Sequence, residues 1–389
     1  MKQRIQQLAK AYSQEFIDVR HHIHANPELS FKEFETCTFI QQKLKGWNIP
    51  FQVMAGTGVV AVIEGRNPQL RVTALRADMD ALPINEENEV PYRSTKPGVM
   101  HACGHDVHTT CLLGAAKILQ ETKEEWTGTI KLIFQPGEEK HPGGASLMIN
   151  EGVLDKPAPT RIFGMHVHPQ LQVGKFSFRG GMVMASADEI YITVRAKGGH
   201  ADAPNLTPDS ILIAANIVVS LQQIVSRNNN PFNPTVLSIT SIQGGTATNI
   251  IPSEVKLMGT FRAMNEEWRF HAHELIKNQT SLLAKALGAE AEVDIKVGYP
   301  FVFNNPELSS WAKEKAIELI GKDWVEETEL RMGAEDFAFY SHQIPGCFFR
   351  LGAGNEIINS NVHTPTFNID EHAIENGIAM MAWLAIAED

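Results

Sequence analysis

The stretch MHACGHDVHTT, residues 100–110, sets Cys103, His105 and Asp106 almost side by side, with His101 and His108 flanking them. Three further places carry side chains of the same chemistry. In FQPGEE, Glu138 and Glu139 follow an apolar run directly; GMHVHP holds His166 and His168; NVHTPTF holds His363. Thiolate, imidazole and carboxylate together are the ligand set that borderline divalent metals prefer. Read singly, each has an ordinary explanation. A lone histidine at a strand end is commonly a surface or core residue, adjacent glutamates are commonly solvated charges, and a buried Cys103 is a small hydrophobe. Cys103 with His105 is also open to reading as a thiol nucleophile and its base. Four such coincidences in one sheet domain weaken the ordinary reading and point to a metal site.

The elements that would position these groups are legible from periodicity. TGVVAVIEG, RVTALRADMD, TIKLIFQPGEE and RIFGMHVHP each read as a strand ending in polar residues, and HTTCLLGAAKILQET reads as a helix with apolar positions at helical spacing. Strands alternating with helices predict an α/β fold with helices around a mainly parallel sheet. Sites in such sheets form at the carboxyl ends of the strands, where the polar residues cluster here. Near residue 186 the texture changes. DEIYITVRAKGGHA, SILIAANIVVSLQQIVSR, TVLSITSIQGG, EVKLMGTFRAM, WRFHAHELIKNQTSLLAKALG and AEVDIKVGYP read as strand, helix, two strands, helix and strand. That is the order of a ferredoxin-like α+β unit. We therefore expect one domain in two parts, residues 1–185 and 298–389, interrupted by an inserted α+β domain at 186–297.

Composition narrows the classes. The chain has 389 residues, 43% hydrophobic and 20% charged, as expected for a globular protein of more than one domain. A formal net charge of −11 argues against nucleic acid or an anionic membrane as partner. Four cysteines at unrelated spacings make no disulfide framework, which points to a reducing compartment. The N-terminal MKQRIQQLAKAYSQEF is amphipathic without the apolar core of a signal peptide, and no uninterrupted apolar run approaches about 18 residues. A cytoplasmic protein is expected.

In order along residues 20–370, HHIHANPELSFKEFET, ALRADMDALP, MHACGHDVHTT, FQPGEE, GGA, GMHVHP, GGHADAP, NIIP, GTFR, GAEDFAFY and HTPTF resemble the M20 family of metallopeptidases. The likeness is to its amidohydrolase branch of hippurate hydrolases, N-acyl-amino-acid deacylases and indole-acetyl-amino-acid hydrolases. The resemblance implies a two-metal centre held by Cys103, His105, Glu139, His166 and His363, with Glu138 as general base. It implies two divalent ions per subunit, zinc, manganese, cobalt or nickel. Asp78 matches a position that orients a ligand, and Asp106 is expected to steady His105. Arg76 stands where other branches have a ligating histidine. His108 is expected to be structural, His168 lies outside the expected site, and Glu335 and Asp336 match a motif near it without a definite role.

The resemblance further implies that His200, in a glycine-bounded turn, stabilises the oxyanion in its own or a partner's subunit. Asn249 and Arg262 would hold substrate, Arg262 through a carboxylate. The same likeness implies that residues 1–185 and 298–389 are the catalytic domain and 186–297 an inserted lid and dimerisation domain, through which a homodimer forms. The expected reaction is cleavage of N-acyl-amino acids, with a dipeptidase or aminopeptidase of the same fold as the alternative. A non-catalytic metal protein is the rival of a different class, and Glu138 speaks against it, because a structural metal site has no use for a base.

Overall fold

The computed structural model describes residues 1–388, which form two compact units. The larger comprises Met1–Val183, Phe303–Glu329 and residues 336–388; the inserted unit comprises Met184–Val302 together with Leu330–Glu335.

Eight strands build the sheet of the larger unit, in the spatial order Phe51–Met54, Gly58–Glu64, Thr129–Gln135, Val72–Asp78, Arg161–Gln172, Gly346–Gly354, Phe176–Phe178, Val325–Glu327. The central four, from Thr129–Gln135 to Gly346–Gly354, run parallel. Thr129–Gln135 is buried along its whole length, as a strand covered on both faces must be. Alternation along Val72–Asp78 sorts its side chains between the faces. Leu75 and Ala77 join the core made with helices His105–Glu121 and His372–Ile386. Arg76 points the other way and is fully buried. Its guanidinium donates to Gln135 Oε1 at 2.9 Å, Asp78 Oδ2 at 2.6 Å and Asp336 Oδ1 at 2.7 Å. These acceptors are what make a buried guanidinium tolerable.

Helix His105–Glu121 starts at Gly104, whose φ of +88° lies in the left-handed region. A Cβ at Gly104 would lie 2.4 Å from Val167 Cγ2. Only glycine therefore lets the helix begin this close to the Arg161–Gln172 strand.

The inserted unit has four antiparallel strands in the order Thr235–Gln243, Glu254–Ala263, Asp188–Arg195, Glu290–Val297. Helices Ser210–Gln223 and Glu266–Ala286 complete the ferredoxin-like order. Asp209 caps the first helix, accepting from the Ile211 and Leu212 amides, and Asn265 caps the second through the Trp268 amide. Ser210–Asn228 is long and apolar enough by composition to cross a membrane. Its Ile213, Ala214, Ile217, Leu221 and Ile224 are instead built into the core against Ile190, Ile192 and Val194. Leu212 and Val219, at 60% and 71%, stay exposed on its other side.

A buried ion pair closes the base of this unit. Asp188 accepts from Arg269 Nε at 2.8 Å, His273 Nε2 at 2.8 Å and the Gly298 amide at 2.9 Å, tying the first strand, the second helix and the exit segment together. Burial alone would raise the Asp188 carboxyl, but the bonds from Arg269 and His273 outweigh it and hold it down at about 2. Leu330–Glu335 belongs to the unit through real bonds. The Ala185 amide is shared between Arg331 O at 3.1 Å and Gly333 O at 3.0 Å, and Arg262 Nη1 donates to Met332 O at 3.2 Å.

Candidate metal centre

Five segments of the larger unit converge where its parallel strands end. Val72–Asp78 runs out into Met79 and Asp80, and Thr129–Gln135 into Pro136, Gly137, Glu138 and Glu139. His166 stands just past Gly164, the last residue of its strand to pair with Val72–Asp78. Cys103 and His105 flank the glycine that starts the helix. His363 enters from the loop after Gly346–Gly354 with a left-handed φ of 62°, its amide donating to Ala102 O at 2.7 Å. Cys103, His105 and His166 bring donor atoms within 4.8 Å of one another, and so do Cys103, Glu139 and His363. His105, Glu138 and Glu139 make a third such set. Cys103 is common to the first two, so five side chains form two adjoining ligand sets.

The hydrogen bonds select tautomers suited to ligation. His166 Nδ1–H donates to Val167 O at 2.7 Å, leaving the Nε2 lone pair 3.4 Å from Cys103 Sγ. His105 Nδ1–H faces Asp80, 3.0 Å from its carbonyl and 3.1 Å from Oδ1. His105 Nε2 is buried with no hydrogen bond among the described residues. A buried ring nitrogen without a hydrogen-bond partner, beside a thiol and two carboxylates, fits a divalent cation. His363 Nε2 lies 3.1 Å from Glu139 Oε1.

Electrostatics agree with that fit. Burial, helped by His108 and Arg350, pushes His166 well below its ordinary range, so the ring is neutral and able to coordinate. Bonds with Cys103 and Glu139 raise His363 to about 10, and a cation bound there has a proton to displace. Burial and the Glu139 carboxylate push the Cys103 thiol up. A cysteine nucleophile needs the opposite shift, so the thiol-nucleophile reading finds no support.

The remaining expected residues fall as follows. Asp78 lies 3.8 Å from His105 Nε2 and bonds His108 Nδ1 at 2.6 Å and Arg76. Both ring nitrogens of His108 are engaged, Nε2 accepting from the Val167 amide at 2.9 Å. Asp106 departs from expectation. Its Oδ2 accepts from Arg20 Nε and His24 Nδ1, both at 2.8 Å, and the carboxylate on His105 is that of Asp80. Asp106 is the first residue after His105 in the helix, and the turn carries its side chain toward the N-terminal helix Lys2–Ala25. Asp336, unassigned from sequence, accepts from Arg76, from Gln135 Nε2 at 2.8 Å and from the Ala145 amide at 3.0 Å. His168, left out of the expected site, is in none of the five sets of clustered donor atoms among the described residues.

Within the inserted unit, His200 pairs with Ile250 in a short antiparallel ladder, and the Ala201 amide donates to Asn249 O at 3.0 Å. The His200 side chain is exposed beside Asp202. Arg262 is half-buried on the Glu254–Ala263 strand, held by the Met332 carbonyl.

Residues 74–387 match the sequence profile of peptidase family M20/M25/M40. The chain is 38% identical to an N-acetylcysteine deacetylase of Bacillus subtilis over 379 residues, 97% of each protein. It is 39% identical to thermostable carboxypeptidase 2 of Saccharolobus solfataricus over 378 residues, 95% of this chain and 94% of that one. Among solved structures it superposes on the YXEP protein of Bacillus subtilis, described as a dinuclear metal binding peptidase from the M20 family. There the TM-score is 0.85 and the identity 36%, covering 97% of this chain and 98% of that one.

Proposed function

This chain belongs to peptidase family M20/M25/M40, and we propose that, as a metal-dependent hydrolase of linear amides, it cleaves N-acyl-amino acids to a carboxylate and a free amino acid. The observation that carries this reading is the pair of ligand sets sharing Cys103, with Glu138 buried against them. Cys103, His105, Glu139, His166 and His363 would hold two divalent ions. Such ions, when bound, polarise the scissile carbonyl and acidify the attacking water. Glu138 takes the proton from that water and passes it to the leaving amine nitrogen, so one carboxyl serves both attack and expulsion. His200 donates to the oxyanion as it forms. Asn249 and Arg262 hold the substrate, Arg262 through the free carboxylate of the amino-acid half. Cysteine and histidine ligation favours zinc, cobalt or nickel, with manganese the remaining candidate.

A homodimer through the inserted unit would cover Leu212 and Val219, which are exposed there on helix Ser210–Gln223. A reducing cytoplasm suits its four buried, unbridged thiols.

The carboxypeptidase relative favours a second reading, removal of a C-terminal residue from a peptide. That reaction also cuts an amide whose amine half bears a free carboxylate, so the same residues serve it. Amine release from N-acetyl, N-benzoyl and N-lauroyl amino acids and from dipeptides separates the two. The assay uses chelated protein with and without each of the four metals. We expect metal-dependent release from acyl-amino acids with dipeptides inert. Cleavage of dipeptides alone would install the peptidase reading, and silence with every metal would overturn both.

A further inference from the structure

The turn that presents the two glutamates is held from below by two buried carboxylates. Three consecutive amides, those of Gly137, Glu138 and Glu139, point at acidic side chains. The Gly137 amide donates to Glu33 Oε1 at 2.8 Å, the Glu138 amide to Asp80 Oδ1 at 3.1 Å and the Glu139 amide to Asp80 Oδ2 at 3.0 Å. A concavity of successive amides is a natural seat for an anion, and here Asp80 fills it. Gly137, at φ 59°, allows this curl, and a Cβ there would lie 2.2 Å from Phe31 Cε1.

The same carboxylate reaches the other side of the centre. Asp80 Oδ1 also accepts from His105 Nδ1 at 3.1 Å, and Oδ2 from Ser30 Oγ at 2.6 Å. Four donors thus use the roughly four lone-pair positions of one ionised carboxylate, and Asp80 is 1% exposed. Glu33 is equally buried but differently connected. It accepts from Thr57 Oγ1 at 2.7 Å and from the Phe31 and Gly137 amides, and it touches no ligand side chain.

We propose that Asp80 is a positioning residue that sets the register between the general base and the metal ligands, by gripping the Glu138 and Glu139 amides and the His105 ring with one carboxylate. This rests on the roles proposed above for Glu138, Glu139 and His105. Because His105 gives its Nδ1–H to Asp80, Nε2 keeps its lone pair for the metal. Because both glutamate amides are pinned to the same group, the spacing of Glu138 from the ligands follows from one side chain, not from two independent loops.

The test compares full-length Asp80→Asn, Glu33→Gln and Ser30→Ala with the unaltered protein, each loaded with Co²⁺. The asparagine keeps the shape of Asp80 but turns one oxygen into a donor that faces donors. Asp80→Asn should alter the visible cobalt spectrum, weaken cobalt binding by about 10–100-fold, and lower kcat by about 100-fold with KM within about threefold of the unaltered protein. Glu33→Gln should leave the cobalt spectrum as it was and lower only kcat. Ser30→Ala removes one donor and strands no buried charge, so it should shift the spectrum slightly even if the asparagine variant fails to fold. A folded Asp80→Asn with unchanged spectrum and kcat would overturn the proposal. So would identical spectral changes in Asp80→Asn and Glu33→Gln, or no change in Ser30→Ala when Asp80→Asn does not fold. The spectra need no substrate. A protein that turns over none of the acyl-amino acids yet shows this pattern would sink the substrate reading and keep Asp80 in its role.

Discussion

At the scale of single residues, Glu138 and His363 carry the sharpest expectations. Glu138→Gln removes the proton acceptor but keeps the amide that bonds Asp80. It should retain both metals by atomic emission while kcat falls by about 10³-fold and KM barely moves. Full activity in that variant would remove Glu138 from the base role. His363, raised to about 10, and Cys103, raised above its ordinary range, would both lose a proton on ligating a cation. Protons compete harder as pH falls, so metal affinity should weaken by about tenfold per displaced proton per pH unit. With His105 also held well above its ordinary range, that is at least about 100-fold from pH 8 to pH 7, read by competition with a chelator. A pH-independent affinity would mean that neither group is a ligand. The ligand-type residues were legible because thiol, imidazole and paired carboxylates are conspicuous at strand ends. Asp80 sits two residues from Asp78 in the same quoted motif, yet its partners at 138 and 139 are backbone amides, which leave no mark in a sequence. Asp106 misled for the converse reason. Adjacency to His105 in the chain says nothing about direction once both lie on a helix.

At the scale of elements, the Asp188 cluster makes a prediction about acid. Its carboxyl is held at about 2, against an ordinary 3.8. A depressed carboxyl contributes stability that is present above the unfolded value and lost as pH falls through the folded one. The contribution, about 2 kcal/mol, should therefore disappear between roughly pH 4 and pH 2. Asp188→Asn, which has no charge to lose, should melt well below the unaltered protein at pH 6, and the gap in Tm should narrow as pH falls toward 2. A gap constant with pH would show that the carboxylate charge does not act. The strand and helix order of both units was readable, because buried parallel strands are continuous apolar runs and the inserted unit alternates cleanly. The short strands Phe176–Phe178 and Val325–Glu327 were not, since three residues carry no period. Nor was the recruitment of Leu330–Glu335, whose bonds reach Ala185 and Arg262 from far along the chain.

For the whole molecule, the exposed side of helix Ser210–Gln223 predicts an assembly. If a second copy covers Leu212 and Val219, sedimentation should report twice the chain mass. Leu212→Lys with Val219→Lys should then halve it, leaving the helix in place because both positions face away from the core. An unaltered mass in the double variant would move the interface elsewhere. The peptide Leu330–Glu335 bears on how the inserted unit could be transplanted. Its carbonyls receive the Ala185 amide and the Arg262 guanidinium, so the inserted unit is written in two stretches of coding sequence with part of the larger unit between them. A recombination that lifted codons 184–302 into another scaffold would carry the sheet and both helices but leave behind the acceptors that hold Arg262. Such a transplant would arrive with Arg262 untethered, so a graft that keeps this tie needs both stretches of the chain.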